Sequence, residues 1–222
     1  VIDLMNGGCW DRTMDAFIEV VDPKTGKPSK NASTKKGTAI RGYRYSRGWA
    51  DDQKIYFYAE FSKPFNDIDI QTRDIQIWQS EFKDMSTYAH VHFESKKGEK
   101  IMMKVALSSV SMEGAYNNMQ ASLKGWDFDK TVANAEALWN KELSRIQIQT
   151  QNEEARKIFY TSLYHTMIAP SEFSDIDGSY RGADGKTYVD ADHKTHTTFS
   201  LWDTYRAAMP LYSIVQPDVH ED

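Results

Sequence analysis

The sequence predicts an α+β chain: an antiparallel β-sandwich, then a helical linker, then further helices. Three observations carry this. Apolar residues recur with a period of two from Thr38 to Ser111. The strands so defined are short and separated by turn signals such as Lys97-Gly98-Glu99, as in a sandwich. After Ser111 the period becomes helical. The boundaries implied are 1–111 for the sandwich part, 112–150 for the linker and 151–222 for the later helices.

Taken in order, Phe17-Ile18-Glu19-Val20-Val21 predicts a strand. Residues 22–38 place Lys24, Lys27, Lys30, Lys35 and Lys36 among Ser, Thr, Gly and Pro, a composition that predicts a long exposed loop. Strands are expected over 40–45, 54–61, 67–78, 88–94 and 101–108. Ile55, Phe57, Ala59 and Phe61 share one face of the second, opposite Tyr56, Tyr58 and Glu60; Ile101, Met103, Val105 and Leu107 share one face of the last.

A helix is expected over 112–123, and Asp127 or Asp129 opens another whose apolar stripe is Val132, Ala135, Leu138, Trp139 and Leu143. Ile146-Gln147-Ile148-Gln149 reads as a short strand. Asn152 caps a helix reaching about Ala169, with Glu153 and Glu154 favourable in its first turn. Ile158, Phe159, Leu163 and Met167 form one face, Tyr160, Tyr164 and His165 much of another, which predicts burial on both sides. Asp184-Gly185 signals a hairpin turn. Ser200 and Asp203 have capping-box spacing, and Pro210 predicts a kink or break in the final helix.

Composition limits the function. The 222 residues carry 27 basic and 32 acidic groups, a net charge of −5 that does not suggest nucleic acid or an anionic membrane. No run is long enough to span a bilayer as a helix. The single Cys9 excludes an internal disulfide. The first residues, Val1-Ile2-Asp3-Leu4, read like the inside of a strand, and the chain is expected to be a piece of a longer protein.

Several residues invite a chemical reading. His90 and His92 share a strand face without a third ligand placed by the sequence, so an ordinary sheet face is expected. Trp49 sits at a turn and reads as packing or as a binding platform. Asp175 and Asp177 hint at calcium, but an EF-hand loop needs Gly where Tyr180 stands. His165 is expected in the core, and His193 and His196 in a polar loop. Trp202, Asp203 and Arg206 fall within one or two helical turns. They read either as a capped, ion-paired helix start with a core Trp, or as an aromatic face for a sugar ring flanked by charged partners for its hydroxyls.

Three ordered segments resemble glycoside hydrolase family 92, the calcium-dependent exo-acting α-mannosidases. They are Gly42-Tyr43-Arg44 through Gly48-Trp49-Ala50 to Phe61-Ser62-Lys63-Pro64-Phe65; Gly125-Trp126-Asp127-Phe128; and Phe159-Tyr160 through Tyr164-His165 to Asp177-Gly178-Ser179-Tyr180-Arg181-Gly182 and Phe199 to Arg206. The set spans about 40 to 217; residues 1–38 are the weakest stretch, and their lysine-rich loop carries no match. The resemblance implies a sandwich, a helical linker and the first helices of an (α/α)6 barrel, with inverting hydrolysis by two carboxyl groups roughly 6.5–9.5 Å apart. It implies a calcium ion on the mannose hydroxyls, an exported protein, and α-mannoside glycans as substrates. A twelve-helix barrel needs roughly 250 residues, so acid, base and main calcium ligands are expected outside this chain. Substrate binding is implied for Trp202 and Asp203, with Arg206, Asp177, Tyr180 and Arg181 as support. Two other functions fit the residues: a non-catalytic carbohydrate-binding sandwich, and an (α/α)6 hydrolase of another sugar.

Overall fold

The computed structural model describes residues 1–6, 11–28, 36–76, 83–198 and 200–220. Expectations that fall on Cys9, Lys30, Lys35, the end of the 67–78 strand and Phe199 lie outside them. The chain forms two compact units, residues 1–126 with 174–189, and residues 127–173 with 190–222.

The first unit holds two antiparallel sheets. One has the order β1-β6-β5, from Ile2–Asp3, Lys83–His92 and Asp67–Gln76; the other has the order β2-β3-β4-β7, from Arg12–Val21, Gly37–Arg47, Gln53–Phe65 and Met103–Ser108. Ile18, Ile40, Phe57, Ala59 and Phe61 of the larger sheet meet Ile68 and Ala89 of the smaller one in a shared core. The expected face of β4 is therefore the buried one. Its partners across β7, Leu107, Val105 and Met103, stand opposite Phe57, Ala59 and Phe61. Yet they are 58%, 44% and 53% exposed, because β7 is the edge strand.

The opposite face of β4 is also covered. Helix α1, Met112–Ser122, lays Ala115 and Met119 on Val21, Ala39 and Tyr58, all buried. Ser111 caps it by accepting from the Gly114 N–H at 2.9 Å. A helix expected in a linker thus packs as part of the sandwich, because its apolar stripe is spent on the sheet. The described part of the 22–38 loop is a tight turn rather than a free loop. Gly26 N–H donates to Asp22 O, Tyr116 Oη donates to Lys24 O, and Arg41 Nη1 donates to Gly26 O. The hairpin of β8, Ser179–Arg181, and β9, Thr187–Val189, completes the unit. Its loop needs the positive φ of 79° that Gly185 supplies.

The second unit is helical. Asp127 caps α2, Phe128–Leu143, by accepting from Lys130 N–H, and Asn152 caps α3, Glu153–Thr166, by accepting from Ala155 N–H. Trp139 meets Tyr164 edge-on at 4.6 Å between ring centres. The burial expected on both sides of α3 is not found: Ile158 is 60% exposed and Leu163 is its one buried residue. Tyr164 meets Trp139 of α2, and Thr166 O accepts from Tyr212 Oη at 2.6 Å, so these contacts gather at the C-terminal half of α3. His165 lies exposed in the last turn rather than in a core. Residues 146–149 form no strand, since alternation without a ladder partner does not make one.

The final segment is α4, Leu201–Thr204, then α5, Ala208–Val215, and α6, Pro217–His220. The break falls before Pro210, not at it. Pro210 occupies the first turn of α5, where its missing N–H has no helical partner to lose. Pro217 likewise opens α6 rather than merely ending α5.

Candidate functional site

The predicted site residues fall into two groups, one in each unit. In the first unit, Asp177, Tyr180 and Arg181 stand on the β8–β9 hairpin and its approach. Asp177 Oδ1 accepts from both the N–H and the Oγ of Ser179, at 3.0 and 2.6 Å, which lowers its pKa and locks the turn into β8. Tyr180 stacks on Tyr188 with ring centres 5.8 Å apart, and Tyr188 Oη donates to Asp184 Oδ2. Arg181 Nη2 donates to Asp52 Oδ2 at 2.5 Å, and Lys54 Nζ approaches the same oxygen at 3.1 Å. Lys54 first, then Arg181, hold the Asp52 carboxyl below its ordinary pKa. Asp52 lies beyond Trp49 in the β3–β4 loop, and Trp49 is 86% exposed at that turn rather than packed.

In the second unit, Trp202 is 85% exposed, with Asp203 and Arg206 also at the surface. Ser200 occupies the N-cap position, as its spacing predicts, but makes no side-chain capping bond. Helix α4 is only four residues long, so Arg206 lies beyond it, and no ion pair joins Arg206 to Asp203 among the described residues. Arg206 Nε instead donates to Tyr205 Oη at 2.6 Å. Among the described residues of this chain the turn therefore shows neither the side-chain capping bond nor the ion pair, and Trp202 stands exposed. What remains is a flat indole presented to solvent beside a carboxylate, an arrangement that can stack on a sugar face and accept from its hydroxyls.

Asp175 and Asp177 do not converge. Asp175 points inward to Ser108 and Asn118, and Asp177 to its own turn. His90 and His92 stand opposite Asp69 and Asp67 on β5, cross-strand pairs that the sequence alone did not pair. His193 Nδ1 lies 3.3 Å from Asp190 Oδ2 in a loop. Among the described residues no three His, Cys, Asp or Glu side chains are grouped to hold a metal. The feature that sequence reading missed is the joining of Asp175 to Ser108 and Asn118, and of Arg181 to Asp52. These partners are 129 residues apart in the last case, and no local signal encodes them.

A sheet-rich part followed by helices, with an exposed Trp and carboxylate in the helical unit, leaves the class of protein open. Comparison makes it specific. The glycosyl hydrolase family 92 N-terminal domain matches residues 3–108 and the catalytic domain of the same family matches 114–222. The chain belongs to glycosyl hydrolase family 92. The match from residue 3 also takes in the lysine-rich stretch that carries no recognisable motif.

A family 92 α-mannosidase from Bacteroides thetaiotaomicron is 30% identical, with a TM-score of 0.78 over 95% of this chain and 27% of its own. A family 92 inverting mannosidase of the same bacterium is 25% identical, with a TM-score of 0.70 over 95% of this chain and 27% of its own. An uncharacterized secreted glycosidase of Arthroderma benhamiae is 23% identical over 54% of this chain and 15% of its own length. The chain thus spans about a quarter of the solved relatives, at 27%.

Proposed function

We propose that the protein containing this chain is an exo-α-mannosidase that releases mannose from α-linked mannosides by inverting hydrolysis. The observation that carries this is the order and extent of the family match, N-terminal domain then catalytic domain along nearly the whole chain. Membership with a 30% identical α-mannosidase supports mannose as the sugar. The name of the inverting mannosidase supports the stereochemistry, and the secreted fungal relative supports export. No described helix is long and apolar enough to cross a membrane.

In this reading Trp202 stacks on the mannose ring and Asp203 accepts from its hydroxyls. Arg206 borders them, and Asp177, Tyr180 and Arg181 are support. The general acid and base, the calcium ligands and the rest of an (α/α)6 barrel are contributed by parts of the polypeptide outside this chain. Calcium, when bound there, supplies a hard cation for sugar hydroxyls.

The test uses the full-length protein with p-nitrophenyl α-D-mannopyranoside and with α-mannobiose. Mannose release that falls on adding a chelator and returns with calcium is expected, with β-mannose as the first anomer in proton NMR. Failure to release mannose sinks the proposal. Activity on α-glucosides in place of mannosides would reassign the sugar, and unchanged turnover after chelation would remove the calcium.

A further inference from the structure

We propose that Asp175 is the positioning residue of the β8–β9 hairpin: its carboxylate, clamped between β7 and α1, fixes where Asp177, Tyr180 and Arg181 stand on the sandwich. The bearing on substrate rests on the functional reading above.

Asp175 is 5% exposed, and each of its carboxylate oxygens accepts a hydrogen bond from a neighbouring side chain. Ser108 Oγ donates to Oδ2 at 2.6 Å. The same Oγ already accepts from the N–H groups of Val110 and Ser111, at 2.9 and 3.1 Å, so both lone pairs are used and its one proton goes to Asp175. Asn118 Nδ2 donates to Oδ1 at 2.8 Å and to Leu107 O at 2.9 Å, while its Oδ1 accepts from Ile176 N–H at 2.8 Å. The Asn118 amide is thereby fixed in orientation. The clamp demands a group that only accepts, as an ionised carboxylate does. Burial pushes the Asp175 carboxyl above its ordinary value, and the Ser108 and Asn118 donors pull against that.

From this anchor the hairpin is launched directly. Asp175 N–H donates to Ser179 O, and Gly178 N–H donates to Asp175 O, closing the turn that enters β8. Two residues on, Arg181 ties the strand to Asp52. The helix has made room for the carboxylate. A Cβ on Gly114 would lie 2.2 Å from Asp175 Oδ2 and 2.8 Å from Ser108 Oγ. Gly114 is not among the positive-φ glycines, so close approach alone accounts for the glycine in a helix where alanine is the better former.

Two variants of the full-length protein disturb the clamp from opposite sides. Asp175→Asn places an NH2 against one of two committed donors; Gly114→Ala leaves Asp175 intact and displaces it. Asn117→Ala, exposed on the same helix, is the control. In hydrogen-exchange mass spectrometry, both variants are expected to speed exchange across 176–189 by about tenfold, with the β2–β4 amides within about twofold of wild type. In the same variants, KM for p-nitrophenyl α-D-mannopyranoside is expected to rise about fivefold while kcat stays within about twofold.

Unchanged exchange in 176–189 overturns the proposal, and so does equal acceleration throughout the sandwich, which would make Asp175 a general fold determinant. A loosened hairpin with unchanged KM overturns its bearing on substrate. If the wild-type protein releases no mannose, the functional reading falls by itself, and the exchange pattern still decides the role of Asp175.

Discussion

Arg44 reaches from β3 to Asp11 with its Nη1 2.5 Å from Oδ2, and both side chains are about one-seventh exposed, at 14% and 16%. The Arg44 hydrogen bond, above all, holds the Asp11 carboxyl below the ordinary range. The folded-state pKa is thus below the unfolded one, near ~4. The stabilisation is complete above that value and is lost as pH falls through the depressed one. Asp11→Asn should cost about 3 kcal/mol at neutral pH, because it leaves a nearly buried guanidinium unmatched. Urea melts between about pH 3 and 7 should show a flatter acid limb for the variant. At the proposed sugar site, Trp202→Ala in the full-length enzyme should raise KM about tenfold, near 1.4 kcal/mol, the upper range for one aromatic face. Trp202 was legible as a candidate because its neighbours include charged groups. Its exposure was not, since a Trp in a helix start reads equally well as core.

The elements were legible where the signal is local. Ser111, Asp127 and Asn152 each cap the helix that follows, and each does so by the side-chain bond its residue type is suited to make. Removing one such bond, as in Asn152→Ala, should destabilise α3 by about 1 kcal/mol, seen as a lower melting temperature of the helical signal. Met119→Ala should cost about 3 kcal/mol, since Met119 is fully buried between α1 and the sheet, and should lower the urea midpoint of the sandwich. Elements failed where the outcome depends on a partner. Residues 146–149 alternate like a strand but have no ladder. Ser200 and Asp203 have the spacing of a capping box, but Ser200 makes no side-chain capping bond.

At the scale of the whole chain, the change from sheet to helix was legible because it is a change of period. Which strands pair was not: β4 meets β7 and β1 meets β6 across long sequence separations, and registers of that kind are set by packing. The same blindness hid the Asp175 clamp, whose members lie on β7, α1 and the approach to β8. One feature legible as a pattern, the row Met103, Val105 and Leu107, proved half-exposed on an edge strand. An edge that is also apolar can template onto another molecule. Produced as an isolated 222-residue piece, the polypeptide should therefore self-associate in a concentration-dependent way, visible by light scattering. Val105→Lys should delay the onset by placing a charge in the middle of the row. For anyone expressing this chain, β7 is one surface on which solubility depends.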